Sequence, residues 1–212
     1  TLDPDLQRTA AGFWNTTLSP VAAAWMSAGI AKGGEAMRPH VVREVAGPGK
    51  ATLYTAKPSL ARRFVDGEVA QALTTMLEHT VSEGTSFRAF HDPGGRSFLP
   101  HVPVAGKTGT LTDGPQQRLY TWFTGFAPSR PMAGVKPVAI AVLVVNRPQW
   151  HLKANTVARE VLRAHFAAQK LPGVSRPAVA AVAHRNDPPP PRSRKRGAPA
   201  ADAGVALSDK AP

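Results

Sequence analysis

The 212-residue chain predicts an α+β domain in which helices cover a three-stranded antiparallel sheet. Three observations carry that prediction. Apolar residues recur at helical spacing in three separate stretches, beginning near Pro20, Asp66 and Asn155. Between the second and third stretch the pattern changes to runs rich in β-branched and aromatic residues, ending in "KPVAIAVLVVN" (136–146). The connections "GPQQ" and "SRPMAG" between these runs are turn-like and short, as antiparallel neighbours require.

Taken in order, Ser19-Pro20 supplies an N-cap followed by proline at the first helical position. Val21, Ala24, Trp25, Ala28 and Ala31 then follow on one stripe until Gly33-Gly34 ends the helix. The segment "MRPHVVREV" (37–45) reads as extended. A second helix starts near Asp66, with Val69, Leu73, Met76 and Leu77 on one face and Gly84 at its end. Residues 85–101, with Pro93 and Gly94-Gly95, read as a surface loop, and His91, Asp92 and His101 are expected to be solvated. The strands follow: one entering Lys107, then "RLYTWFTGFAP" (118–128), then 136–146. Trp122, Phe123 and Phe126, like Trp14 and Trp25, are expected in the core. The last helix presents Ala158, Leu162 and Phe166 on one stripe, with Val157, Val161 and Ala164 beside it.

Composition divides the chain into a body, residues 1–170, and a tail, residues 171–212. The tail holds eight prolines and seven Lys/Arg against three Asp, so it carries +4 of the total +12. Pro188 to Pro191 followed by "RSRKR" cannot bury enough apolar surface to offset the entropy of ordering, which predicts disorder. Such a basic run reads first as a solvated tail without a specific partner, with contact to an anionic wall polymer or membrane surface as the alternative, and no nucleic-acid partner is expected. Without cysteine there is neither a disulfide framework nor thiolate chemistry. The longest aliphatic run, Val138 to Val145, is far short of the roughly 20 residues of a membrane span. The histidines show no ligand spacing, so no metal and no cofactor is expected. No Gly-x-Ser-x-Gly elbow occurs either, which argues against an α/β-hydrolase nucleophile.

The segment that carries chemistry is "HVPVAGKTGTLTDG" (101–114), where one lysine sits among hydroxyls and glycines at the end of an apolar approach. Such a combination suits an anion. A phosphate-binding loop would need glycine five residues before Gly106, but that place is His101, and Pro103 donates no N–H.

Several segments instead resemble, in the right order, the transpeptidase domain of penicillin-binding proteins. "LSPVAAAWMSAGIAKGGEAMRPHVV" is similar to the helix after that family's active-site groove. "MLEHTVSEGTS" (76–86) is similar to its helix end and Gly-Thr segment. "VAGKTGT", "YTWFTGFAPS" and "PVAIAVLVVN" are similar to its Lys-Thr-Gly strand and the two strands behind it. The resemblance covers about residues 10–168. It implies the C-terminal part of a serine β-lactamase/transpeptidase-like α/β/α fold, three layers around an antiparallel sheet. It also implies a peptidoglycan D,D-transpeptidase that cross-links stem peptides by serine acyl transfer and binds β-lactams. A serine β-lactamase or β-lactam sensor shares the fold, and a non-catalytic transpeptidase-like binding module is compatible with the same residues.

The resemblance assigns roles residue by residue. Lys107 would supply the positive field for the terminal carboxylate of an acyl-D-Ala-D-Ala peptide, and Thr108 and Thr110 would donate hydroxyl hydrogen bonds to it. Gly109, lacking a Cβ, would let the substrate approach. The backbone N–H of Thr110 would be an oxyanion-hole donor. The family's other two motifs, Ser-x-x-Lys and Ser-x-Asn, are absent: none of the nine lysines has serine three places before it. The expectation is a chain cut upstream of its Lys-Thr-Gly box, from a parent of the bacterial envelope anchored in the inner membrane upstream of this segment. The 212-residue chain should therefore not be acylated by a β-lactam. A fluorescent penicillin that remained on the denatured chain would contradict this.

Overall fold

The computed structural model describes residues 3–10, 16–113, 118–147 and 152–177. A short helix, α1 (Pro4–Ala10), precedes α2 (Pro20–Ala31). Ser19 starts α2 as a true N-cap: its Oγ accepts the Ala22 N–H at 3.1 Å, and Pro20, with no N–H to satisfy, takes the first position. After α2 the chain builds a two-stranded arm from β1 (Glu35–Met37), β2 (Glu44–Ala46), β3 (Thr52–Thr55) and β4 (Leu60–Arg63). β1 pairs with β4 and β2 with β3, both antiparallel. The helix α3 (Gly67–Ser82) and the single turn α4 (Phe87–Phe90) lead into the central sheet, β5 (Ala105–Asp113), β6 (Arg118–Ala127) and β7 (Val138–Asn146). The last helix is α5 (Ala154–Ala168).

The sheet order is β5-β6-β7, antiparallel throughout. Its two faces are told apart by β6, because successive residues of a strand point to opposite sides. Thr124 reaches α2, donating its hydroxyl proton to the Ala23 carbonyl at 3.1 Å. That proton is thereby committed, so in the 2.7 Å contact with Ser27 the serine is the donor. Phe123 points the other way, into a core with Ala158, Leu162 and Phe166 of α5 and with Phe90, Leu99 and Val81. Helix, sheet and helix therefore make three layers, as expected.

The α2 interface is built from small residues. Ala23, Ser27 and Gly29 are buried, while Val21, placed by helical spacing on the inward stripe, is 72% exposed. A hydroxyl pair to Thr124 fixes the rotation of the helix, which a count of apolar residues cannot register. In α3 the inward face is likewise shifted: Ala70 and Val81 are buried and Met76 is 66% exposed. For α5 the predicted stripe of Ala158, Leu162 and Phe166 is fully buried. Phe123 and Phe126 are core residues, and Trp25 is half-buried, donating its indole N–H to the Met37 carbonyl at 2.5 Å.

Three further features differ from the sequence reading. The arm of four short strands was not anticipated beyond an extended 37–45, because the residues of β2, β3 and β4 are exposed and carry no alternating pattern. Residues 85–101 are more than a surface loop, since Ser86, Phe90 and Leu99 are buried in the core. The ordered body also continues past residue 170: Leu171 packs against the core and Val174 is only 9% exposed. Trp14, the "GPQQ" connection and residues 178–212 of the tail lie outside the described residues.

Glu78 ties α3 to the segment after β6. Its carboxylate accepts hydrogen bonds from Ser129 Oγ at 2.5 Å and from Arg130 at 2.8 and 3.2 Å. Burial disfavours the charged form, but the hydrogen bonds from Arg130 and Ser129 and the Arg130 charge outweigh it and hold the carboxyl below its ordinary value of 4.5. A depressed carboxyl stabilises the fold above its unfolded pKa and loses that contribution as pH falls through its folded pKa. Glu78→Gln should therefore destabilise the chain at pH 7 by about 0.5–1 kcal/mol, because Arg130 is mostly exposed. The difference from wild type should shrink as pH drops below 4.5, read as denaturation midpoints across a pH series.

Candidate functional site

The Lys-Thr-Gly segment lies on β5, which pairs on one side only among the described residues. Residues directly opposite one another share a face, so the ladder settles where each side chain points. Thr108 faces across to Phe123 and Thr110 to Thr121, which places both threonines on the α5 side of the sheet. Lys107 lies opposite Thr124 and Gly109 opposite Trp122, on the α2 side. The residues expected to act on one anion are thus contiguous along an edge strand, with cation and hydroxyls on alternate faces.

Two glycines make that strand possible. A Cβ on Gly106 would sit 2.3 Å from the Phe123 ring, so only glycine lets β5 lie over the buried phenylalanine. At Gly109 a Cβ would be 3.3 Å from Trp122 Cβ, a tight contact that the bare backbone avoids. Gly109 therefore accommodates a protein neighbour as well as leaving the strand open to a ligand.

Lys107 is exposed, and its ammonium donates to the Thr108 carbonyl at 2.7 Å. No ion pair of Lys107 is found among the described residues. The Thr108 hydroxyl meets the Thr85 hydroxyl at 2.7 Å. Thr85, Thr108, Thr110, Thr121, Lys153 and Asn155 line a pocket of about 290 Å³ at the α5 N-terminus. Hydroxyls and an ammonium suit an anionic or strongly polar ligand.

The pocket is held by a polar seam that sequence reasoning did not identify. Thr121, buried, accepts the N–H of Ala154 at 3.0 Å and so satisfies the first helical donor of α5. Asn155 Nδ2 donates to the buried Ser86 hydroxyl at 3.4 Å. These links join β6, the 85–86 turn and α5 behind Thr108 and Thr110. Only the Gly84-Thr85 resemblance could have pointed to Thr85, and Thr121 and Asn155 carry no spacing that marks them. His91 is not solvated as expected: it stacks on Phe87 at 4.2 Å, and its Nδ1 lies 3.0 Å from the Phe87 carbonyl. His101 is exposed. Among the described residues no three His, Asp or Glu side chains converge as a metal site.

Thr121→Val keeps the volume of the side chain and removes the acceptor of the Ala154 N–H. The expected cost is about 1–2 kcal/mol, the loss of a helix-start hydrogen bond with a buried donor left unpaired. Thr121→Ser should restore most of it. Chemical denaturation of the two variants checks this, and a valine variant as stable as wild type would contradict the seam.

Comparison with known proteins identifies the family of the chain. The family model described as the penicillin binding protein transpeptidase domain matches residues 2–165. Peptidoglycan D,D-transpeptidase PbpA of Mycobacterium tuberculosis is 33% identical over 144 residues, 66% of this chain and 27% of the relative. The protein of the same name from Mycolicibacterium smegmatis is 32% identical over 142 residues, 66% of this chain and 26% of the relative. The chain thus spans about a quarter of the length of these curated relatives. Among solved structures, the imipenem acyl-enzyme complex of penicillin-binding protein A from M. tuberculosis superposes with a TM-score of 0.62 at 31% identity. That match covers 76% of this chain and 34% of the other. With a family model matched over residues 2–165 and a related solved structure of the same fold, the chain belongs to the penicillin-binding protein transpeptidase family.

Proposed function

We propose that this chain is the carboxylate-reading part of a peptidoglycan D,D-transpeptidase of the bacterial envelope. The observation that carries the reading is the open edge of β5, where Lys107, Thr108, Gly109 and Thr110 stand beside a hydroxyl-lined pocket. An extended peptide ending in D-Ala-D-Ala can lie along such an edge, using backbone pairing for affinity. Its terminal carboxylate takes hydrogen bonds from Thr108 and Thr110 in the field of Lys107, and a β-lactam offers a carboxylate of the same kind. The acyl carbonyl, once attacked by a serine outside these residues, develops an oxyanion that the Thr110 N–H can stabilise. Support comes from the relatives: PbpA of M. tuberculosis and M. smegmatis are D,D-transpeptidases by name, and the related solved structure is an acyl-enzyme with imipenem. Within the 212 residues there is no Ser-x-x-Lys, so this chain by itself contributes recognition while the nucleophile is supplied elsewhere. The basic tail would serve as an electrostatic contact to anionic wall polymer or membrane surface.

The test is made in a transpeptidase domain that joins this segment to a Ser-x-x-Lys serine. Lys107→Ala should slow acylation by penicillin roughly ten- to two-hundred-fold, the scale of a charge-assisted hydrogen bond of about 1.5–3 kcal/mol. Lys107→Arg keeps the charge but replaces a compact ammonium by a planar fork, so rescue should be partial. An alanine variant acylated as fast as wild type would overturn the reading.

A further inference from the structure

From Arg38 to Arg63 every residue of the β1–β4 arm is exposed except Gly47 and Ala56, which are half-buried. Such exposure is ordinary for a polar loop, but this stretch is not polar. Val41 is fully exposed and Leu53 is 68% exposed, while Val42, Val45, Tyr54 and Leu60 are 42–50% exposed. A two-stranded ribbon is marginal in water by itself, and no residue of β2 or β3 is buried. Apolar side chains gathered on such a ribbon mark a surface that meets something.

The charge of the same stretch says what it meets. Residues 38–63 hold six Lys/Arg (Arg38, Arg43, Lys50, Lys57, Arg62 and Arg63) against one acid, Glu44, a net +5 with His40 neutral. Arg63 is paired with Glu35 at 2.5 Å, and Glu44 accepts the Thr52 hydroxyl at 3.3 Å. The other five cations make no ion pair among the described residues. Lys50 stands at the tip of the β2–β3 ribbon and Arg43 and Lys57 at its base, with Val45, Leu53 and Tyr54 between them. The centre of a protein interface is depleted of charged side chains, lysine among them, whereas here cations and aliphatics interleave. A lipid surface takes both classes at once. Aliphatic side chains and the tyrosine ring enter the interface, while ammonium and guanidinium groups reach anionic headgroups.

The arm is held in place for such a contact. At its root Ala36 is buried, and Trp25 of α2 packs edge-on against Phe64 with ring centroids 5.0 Å apart. The Arg38 N–H donates to the Ser59 carbonyl and the Ala56 N–H to the Arg43 carbonyl, both at 2.8 Å, closing the base of each ladder. Part of the ordering cost of binding is thereby met in advance.

We propose that the β1–β4 arm is a membrane-surface contact that seats Val45, Leu53 and Tyr54 in the interface of an anionic bilayer, with Arg43, Lys50 and Lys57 on the headgroups. The contact lies on the bilayer without crossing it, and it is independent of the reading of Lys107.

The chain has no cysteine, so Leu53→Cys carries a single nitrobenzoxadiazole fluorophore. With vesicles of phosphatidylglycerol and phosphatidylcholine at low salt, its emission should shift to the blue. The same response is expected at Val41→Cys, which lies outside both ladders and so reports even where Leu53→Cys disturbs the ribbon. Gln71→Cys, exposed on α3, should not respond, which separates seating of the arm from adsorption through the basic tail. Lys50→Gln and Lys57→Gln should each raise the lipid concentration needed for half the shift roughly fivefold, and salt should raise it too. Absence of a shift at both arm positions overturns the proposal, as does an equal shift with pure phosphatidylcholine or indifference to both lysine substitutions. A response to soluble polyphosphate as large as that to vesicles also overturns it. So does a shift that appears without lipid as protein concentration rises, which would assign the arm to contact between copies of the chain.

Discussion

Phe123 is fully buried beneath the β5–β6 ladder, and the ring occupies the space that a side chain on Gly106 would need. Around that ring close the α5 stripe of Leu162 and Phe166, the 90–99 segment and the end of α3. The register of the β5–β6 ladder is set there, and register in a sheet with two covered faces is unforgiving: a slip of one residue would turn Thr108 and Thr110 away from α5. The chemistry of an exposed edge is thus placed by an apolar contact beneath it. Substituting Phe123 would disturb the pocket before it disturbed any hydroxyl directly.

On top of that apolar foundation runs a seam of hydroxyls and one carboxamide. Thr121 holds the start of α5, Ser86 holds Asn155, and Thr85 meets Thr108. Each of these bonds is modest alone, but each also orients a group that lines the pocket. The seam explains why short polar residues occupy buried positions in strands and turns where Val or Ala would pack as well. It brings a helix N-terminus, with its positive field, to the side of a strand whose own lysine is already cationic. Positive potential therefore stands on both sides of β5.

The two outer helices show different ways of attaching to the sheet. α5 uses large apolar side chains at regular spacing, and its inward face is readable from the sequence because bulk and periodicity coincide. α2 uses alanine, glycine and a serine, so close backbone approach and the Ser27–Thr124 hydroxyl pair decide its rotation. Val21 and Met26 are left exposed as a result. The arm from β1 to β4 is held by its own ladders, with register irregularities at Ala36/Met37 and Val45/Ala46.

What the residues alone determined is local or contiguous. Ser19-Pro20 fixes a helix start, β-branched runs fix three strands, the Ala158-Leu162-Phe166 spacing fixes a buried face, and Lys107 to Thr110 stand together because they are neighbours in the chain. Their resemblance to one family's segments, in order, carried the fold and the terminal-carboxylate expectation with it. What only the tertiary structure decided concerns residues far apart in sequence. Thr85, Thr121, Lys153 and Asn155 meet at one pocket through strand pairing and helix docking, and apart from Gly84 beside Thr85 none has a neighbour in the chain that announces this. The burial of Phe90, Leu99 and Val174 is likewise settled by long-range packing around Phe123. Spacing along a chain encodes which face of an element is apolar; which polar groups end up facing one another is set only when those faces have been pressed together.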